Sequence, residues 1–177
     1  VLASALIGMG VKRGDVVSAY LPNCIDYVVV VLAVARSGGV FNPINPRYKA
    51  FEVDAILAQA RPRVIFTTAA QSPMVRQVAG ALGQEDVTLV EVDGAPDARH
   101  SFASLLRGAP GVLPAVSESD FFSLMFTSGT TGEPKGCVLT HANFLDESEA
   151  TATELSDLFE AEDAATLLVL PLAHVFA

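Results

Sequence analysis

Hydrophobic and polar positions along the 177 residues alternate between short runs rich in β-branched side chains and longer stretches with helical spacing. The opening VLASALIGMG reads as the tail of an amphipathic helix. From Gly14 onward the pattern becomes regular. VVSAYL at 16–21 predicts a strand, Pro22 and Asn23 a turn, and 24–36 a helix stopped by Gly38 and Gly39. Residues 41–44 predict a short strand. PINPRYKAFEVDAILAQA gives a proline-rich turn and then a helix with Phe51, Ile56 and Leu57 expected on its inner face. Strands at 64–67 and 87–92 flank a helix at 74–82. This βαβ repetition predicts an α/β protein with layered, mostly parallel sheets and helices on both faces.

The second half is less uniform. Residues 93–114 are rich in Gly, Pro and Ala, with one helical turn expected at 102–106, and read equally as a connection between lobes or as a surface excursion inside one domain. A strand at 121–126 and another at 136–140 enclose a loop at the tip of a hairpin-like turn. Thr140 stands where it would cap a helix over 141–159, with Phe144, Leu155, Leu158 and Phe159 as its apolar face. Its carboxylates, Asp146, Glu147, Glu149 and Glu154 among them, read as a solvated helix surface rather than a metal site. A strand at 166–170 leads into the terminal PLAHVFA.

Composition narrows the classes. With 51% hydrophobic and 18% charged residues the chain has material for a packed core, and its net charge of −9 leaves no basic stripe with which to displace counterions from nucleic acid. The longest apolar run, 27–35, is too short to cross a bilayer and reads as a buried helix. Nothing at the start resembles the basic region of a signal peptide. Cys24 and Cys137 lack metal or redox spacing and are expected as buried thiols in a reducing, cytoplasmic setting.

The chemistry concentrates in LMFTSGTTGEPKG, residues 124–136. Thr127, Ser128, Thr130 and Thr131 offer hydroxyls, Gly129 and Gly132 let backbone amides turn inward, and Lys135 adds a positive charge. A polyphosphate presents several charged oxygens at once, and only amides unobstructed by side chains converge on them closely. Each charge-assisted hydrogen bond is worth about 1.5 to 3 kcal/mol, so a few make a binding site. Small polar residues in a loop mean, by themselves, only a flexible turn. Their combination with two glycines and a lysine directly behind an apolar strand reads as a phosphate cradle. It is not a Walker loop, because Lys135 follows Pro134 and precedes Gly136, and no GxGxxG follows any predicted strand.

TSGTTGEPKG resembles the signature loop of the adenylate-forming superfamily: acyl-CoA synthetases, adenylation domains of peptide synthetases, and luciferases. GVKRGDVVSAYLPN, SGGVFNPINPRYKAFEVDAILAQARPRVIFT and LPLAHVFA resemble further parts of the same superfamily, so the likeness covers nearly the whole chain. It implies that 1–177 is the amino-terminal portion of an adenylation domain, the first part of the large domain of an acyl-CoA synthetase, with the carboxy-terminal domain absent. The family's reaction joins ATP and a carboxylic acid into an acyl adenylate, releasing pyrophosphate, and then passes the acyl group to a thiol, usually coenzyme A. The carboxylate is itself the nucleophile, so no Ser or Cys nucleophile is required.

The resemblance implies roles residue by residue. Thr127, Ser128, Gly129, Thr130, Thr131, Gly132 and Lys135 would hold the nucleotide phosphates, Lys135 would act catalytically, and Thr127 would also reach Mg²⁺. His174 would lie beside the carboxylate end of the acyl pocket. By itself a histidine near Pro171 and Leu172 reads as an ordinary partly buried residue, and its place after LPLA carries the assignment. His141, in LTHANF, also matches the family, but its place behind a Thr cap explains it equally well, and Cys137 reads as packing.

PLAHVFA resembles fatty acyl and aryl CoA ligases more than peptide-synthetase adenylation domains. The expected activity is that of a fatty acid CoA ligase using ATP, Mg²⁺ and coenzyme A. An aryl-acid ligase, a carrier-loading adenylation domain and a non-catalytic nucleotide-binding module are the alternatives. Partners are then small molecules rather than nucleic acid, with peripheral membrane contact of the full-length protein compatible with the resemblance. The family's magnesium-binding glutamate, ribose-binding aspartate, hinge and second catalytic lysine would follow Ala177, so the chain is expected to be a fragment that turns nothing over alone.

Overall fold

A computed structural model describes residues 1–95, 100–127, 133–165, 167 and 170–174. Its strands are β1 (Val16–Tyr20), β2 (Val40–Ile44), β3 (Val64–Thr67), β4 (Thr88–Glu91), β5 (Phe121–Thr127) and β6 (Lys135–Thr140). They form one sheet in the order β4-β3-β1-β2-β5-β6, parallel throughout except for the antiparallel edge strand β6. The run of β-branched residues at 16–20 and 64–67 suits strands buried on both faces.

Alternation along the strands sorts their side chains to two cores. Val17 and Ala19 of β1 and Val64 and Phe66 of β3 turn to one face, where they meet α1 (Leu2–Gly8), α2 (Ile25–Ser37) and α5 (Phe102–Leu106). Tyr20 and Ile65 turn to the other, against α3 (Ala50–Ala60) and α4 (Ser72–Ala81). The helices therefore cover both faces, as the βαβ pattern predicts. Each buried Leu, Ile or Val contributes on the order of 1.5 to 3 kcal/mol. Gly38 ends α2 in the left-handed conformation at φ 77°, a position any side chain would strain.

Several expectations need correction. Phe51 is 74% exposed, because the inner face of α3 is Val53, Ile56, Leu57 and Ala60, at helical spacings of three and four, and Phe51 stands outside that series. The helix expected over 141–159 is two: α6 (His141–Glu154) and α7 (Ser156–Phe159), parted at Leu155. Neither buries a residue, and Phe144, Leu155, Leu158 and Phe159 are all exposed, since an apolar stripe is buried only where a second element covers it. Cys137 is exposed, because β6 is the uncovered edge of the sheet, and Cys24, at the start of α2, is half-buried. The strand expected at 166–170 falls largely outside the described residues.

β5 meets β2 through one ladder pair, Phe41 opposite Ser123. Side chains supply the rest of the joint. Ser18 Oγ donates to Asn42 Oδ1 at 2.8 Å, Asn42 Nδ2 donates to the Leu124 carbonyl at 2.8 Å, and Ser123 Oγ donates to the Phe41 carbonyl at 3.1 Å. Asn42 is fully buried, so its amide is a fixed bridge from β1 to β5. At the amino ends of the strands Arg13, before β1, donates to Asp120, before β5, whose carboxylate also accepts from the Ser117 amide. The Ser117 amide first, and then Arg13, hold the Asp120 carboxyl below the usual carboxylate range.

Asn42→Ala leaves Ser18 Oγ and the Leu124 carbonyl without partners, and is expected to cost about 1 to 3 kcal/mol in a urea unfolding experiment. A loss within error of zero would mean that this bridge does not hold the sheet together. The lowered pKa of Asp120 stabilises the fold fully above the unfolded carboxylate value and ceases to do so as pH falls through the folded one. Asp120→Asn should therefore flatten the decline of the urea midpoint as pH falls below the ordinary carboxylate range. A decline as steep as the parent's would remove Asp120 from the acid response.

Candidate nucleotide and acid site

β5 and β6 pair as an antiparallel hairpin whose last rung sets Thr127 opposite Lys135. The apolar side chains of β5 anchor it, with Leu124 and Phe126 packed against the core beneath α3 and Phe122 buried on the other face. Thr127 and Lys135 are exposed at the open end, and the Thr127 hydroxyl donates over a long 3.5 Å to the Lys135 carbonyl. Lys135 is thus the first residue of β6 rather than part of the loop. Ser128, Gly129, Thr130, Thr131 and Gly132 lie outside the described residues. The far side of the loop is tied down by Gln59 of α3, whose Nε2 donates to the Pro134 carbonyl at 3.0 Å.

Thr127 and His174 are far apart in sequence and line one cleft of about 410 Å³, together with Pro43, Tyr48, Met125 and Ala173. Beside it lies a more apolar cleft of about 270 Å³, walled by Tyr27, Val31, Leu32, Phe41, Phe122 and Phe144. Pro43, Met125 and His174 belong to both clefts. His174 therefore stands on the wall between the cleft that contains Thr127 and the more apolar one. It is exposed, and its amide donates to the Pro171 carbonyl at 2.8 Å in a tight turn.

Two tyrosines act as neutral donors beside the clefts, Tyr27 in the wall of the apolar one and Tyr20 behind Tyr48, which lines the other. Tyr20 donates to the Tyr48 carbonyl at 2.6 Å, and burial is the main cause that raises its hydroxyl pKa. Tyr27 is pushed up further, again chiefly by burial, and packs edge-on against Phe41 at 5.6 Å. His141 takes the first position of α6 behind the Thr140 cap, with its ring 5.0 Å from Phe122.

Among the described residues no group of three or more His, Cys, Asp or Glu could hold a metal ion. The side chains at the hairpin tip are a hydroxyl and an ammonium, which suit phosphate oxygens and a Mg²⁺ ion held mainly by those oxygens and water. Such a donor set fits a nucleotide with its accompanying ion and does not fit a resident metal centre. Sequence reasoning missed Asn42 and Gln59. A lone Asn within the apolar run VFNPI was the available signal for the first, while an exposed Gln on a helix gave none for the second.

Residues 1–177 match the family profile described as AMP-binding enzyme. The chain belongs to the AMP-binding enzyme family. It is 36% identical over 177 residues to 4-coumarate--CoA ligase 3 of Oryza sativa subsp. japonica, spanning 99% of this chain and 31% of that protein. It is 32% identical over 177 residues to the long-chain-fatty-acid--CoA ligase FadD13 of Mycobacterium tuberculosis, spanning 99% of this chain and 34% of that one. Among solved structures, ATP-bound MatB from Rhodopseudomonas palustris superposes with a TM-score of 0.78 at 27% identity, over 98% of this chain and 33% of that one. This AMP-binding chain thus spans about a third of the length of the relatives it matches. No helix among the described residues is long and apolar enough to cross a membrane.

Proposed function

We propose that this chain is the amino-terminal portion, 1–177, of the adenylation domain of an acid–thiol ligase. That enzyme would convert a carboxylic acid and ATP into an acyl adenylate and pyrophosphate, and pass the acyl group to coenzyme A. The observation that carries the reading is the single cleft lined by both Thr127, at the tip of the phosphate-loop hairpin, and His174. An acid carboxylate lying near His174 would face the nucleotide end of the same compartment. Its oxygen would attack the α-phosphorus as the bond to the β-phosphate breaks, and the departing pyrophosphate would carry the developing charge.

Lys135 and the 128–132 amides are assigned to that charge, with the Thr127 hydroxyl toward Mg²⁺. When bound, Mg²⁺ neutralises phosphate charge as the pyrophosphate leaves. His174 is assigned to the acid end. The favoured acid is a fatty acid, because the cleft beside His174 is walled by aliphatic and aromatic side chains. An aryl acid is the second reading, supported by the similarity to a 4-coumarate--CoA ligase. The protein is taken to be cytoplasmic, with both of its cysteines free.

Lys135→Ala in the full-length enzyme is expected to slow adenylate formation by roughly two to three orders of magnitude while leaving acid binding nearly unchanged. Single-turnover formation of acyl-AMP measures this, and an unaltered rate removes Lys135 from the mechanism. Substrate class is read by acid-dependent exchange of labelled pyrophosphate into ATP, across acetate, palmitate, benzoate and coumarate. Exchange with palmitate supports the fatty acid reading, and exchange confined to benzoate and coumarate replaces it with the aryl one. No exchange with any acid, from folded protein, defeats the adenylation reading itself.

A further inference from the structure

The turn after β1 reaches across the molecule in a way that local structure does not require. Asn23 precedes α2, where a short polar side chain ordinarily caps the helix. It does not do so: the cap position is Cys24, and no side chain bonds to the free amides there. Instead, Asn23 Nδ2 donates to the Leu170 carbonyl at 2.8 Å and Asn23 Oδ1 accepts from the Leu172 amide at 2.7 Å. A carbonyl and an amide two residues apart are what one residue of a parallel strand would engage on its neighbour. The Asn23 side-chain amide thus engages the backbone on either side of Pro171 as a neighbouring strand residue would.

Tyr27 completes the grip. One helical turn beyond Asn23, its hydroxyl donates to the Leu172 carbonyl at 3.1 Å, and Leu172 packs against the core under α2. The Tyr27 ring is itself buried and set edge-on against Phe41. Both backbone polar groups of Leu172 are therefore held from the β1–α2 corner. Immediately beyond, the bond from the His174 amide to the Pro171 carbonyl closes the turn that brings His174 to the wall shared by the two clefts.

We propose that Asn23 and Tyr27 are positioning residues for the acid end of the site, fixing the 170–174 segment so that His174 faces the compartment containing Thr127. This rests on the reading of His174 given above. Neither residue touches the reacting atoms. Each acts through backbone geometry, and small displacements of a positioned group are amplified in rate because reacting atoms must meet at short range. Neither Asn23 nor Tyr27 lines the cleft that contains Thr127, so the corner is expected to leave nucleotide binding unchanged.

The test uses the full-length enzyme and pyrophosphate exchange, with kcat and KM measured separately for acid and for ATP. Asn23→Ala is expected to lower kcat/KM for the acid about tenfold, and Tyr27→Phe, which keeps the ring in the core, about threefold, with the KM for ATP unchanged within about twofold. Combined with His174→Ala, which removes the group being positioned, both effects should shrink to nearly nothing. Hydrogen exchange at the Leu172 amide should accelerate in Asn23→Ala. Parent-like acid kinetics in both variants while His174→Ala is impaired, an undiminished effect in the His174→Ala background, or unaltered exchange at Leu172 would each overturn the proposal. A silent His174→Ala overturns the acid-end reading itself, and the positioning role with it.

Discussion

A hairpin that must present charged and hydroxyl groups to solvent cannot be held by its own tip. It has to be seated from below, and here the seat is a buried amide. β5 shares a single ladder pair with β2, so its register and height depend on Asn42, which accepts from Ser18 on β1 and donates to the Leu124 carbonyl on β5. Had a valine occupied position 42, the strand would read better as apolar sequence, but the Leu124 carbonyl would be buried without that partner. The polar residue is tolerated in the core because all of its neighbours need it. Gln59 does for the exit of the loop, at Pro134, what Asn42 does for its entry.

This seat matters because of the direction of the sheet. In an open parallel sheet every strand delivers its carboxyl end to the same edge, and binding groups gather there. β1 ends beside Asn23, β2 beside Asn45 and β5 at Thr127, while the antiparallel return of β6 brings Lys135 to the same edge. Segments remote in sequence can therefore share a compartment without any of them being long. The 170–174 segment reaches that edge last and is pinned by groups at the end of β1 and the start of α2. The first strand and the last described segment thus define one site between them.

The alternation of β-branched and helical runs made the layers legible in advance, and the composition of the loop between β5 and β6 pointed to phosphate chemistry, the expectation on which the proposed reading rests. What escaped the pattern shares a physical cause. Phe51 and the apolar residues of α6 and α7 are hydrophobic without being buried, because hydropathy reports a preference while burial needs a covering partner. Asn23 carries its function in partners 147 and 149 residues away, and a turn residue after a strand looks the same whether it bonds to its neighbours or to a remote backbone. Asn42 was visible as an exception within an apolar strand, but only the fold shows that its exception is a bridge.

The two clefts also explain why a histidine stands between them on the proposed reading. Moving an ionised carboxylate into a compartment walled by Val31, Leu32, Phe41 and Phe122 would strip its water without supplying partners. An acid whose apolar part enters that compartment must therefore stop with its carboxylate at the wall, where His174 and the cleft that contains Thr127 begin. The desolvation penalty sets the depth of insertion, and the wall sets the position of the nucleophilic oxygen relative to Thr127. Selectivity for the length or shape of the acid then belongs to the apolar compartment, whereas the charge chemistry belongs to the hairpin. The position of the wall depends on Pro43 and Met125 from adjacent strands and on the 170–174 segment, which lends Leu172 to the apolar cleft and His174 to both, so a shift in that segment would move the reacting group together with part of the wall.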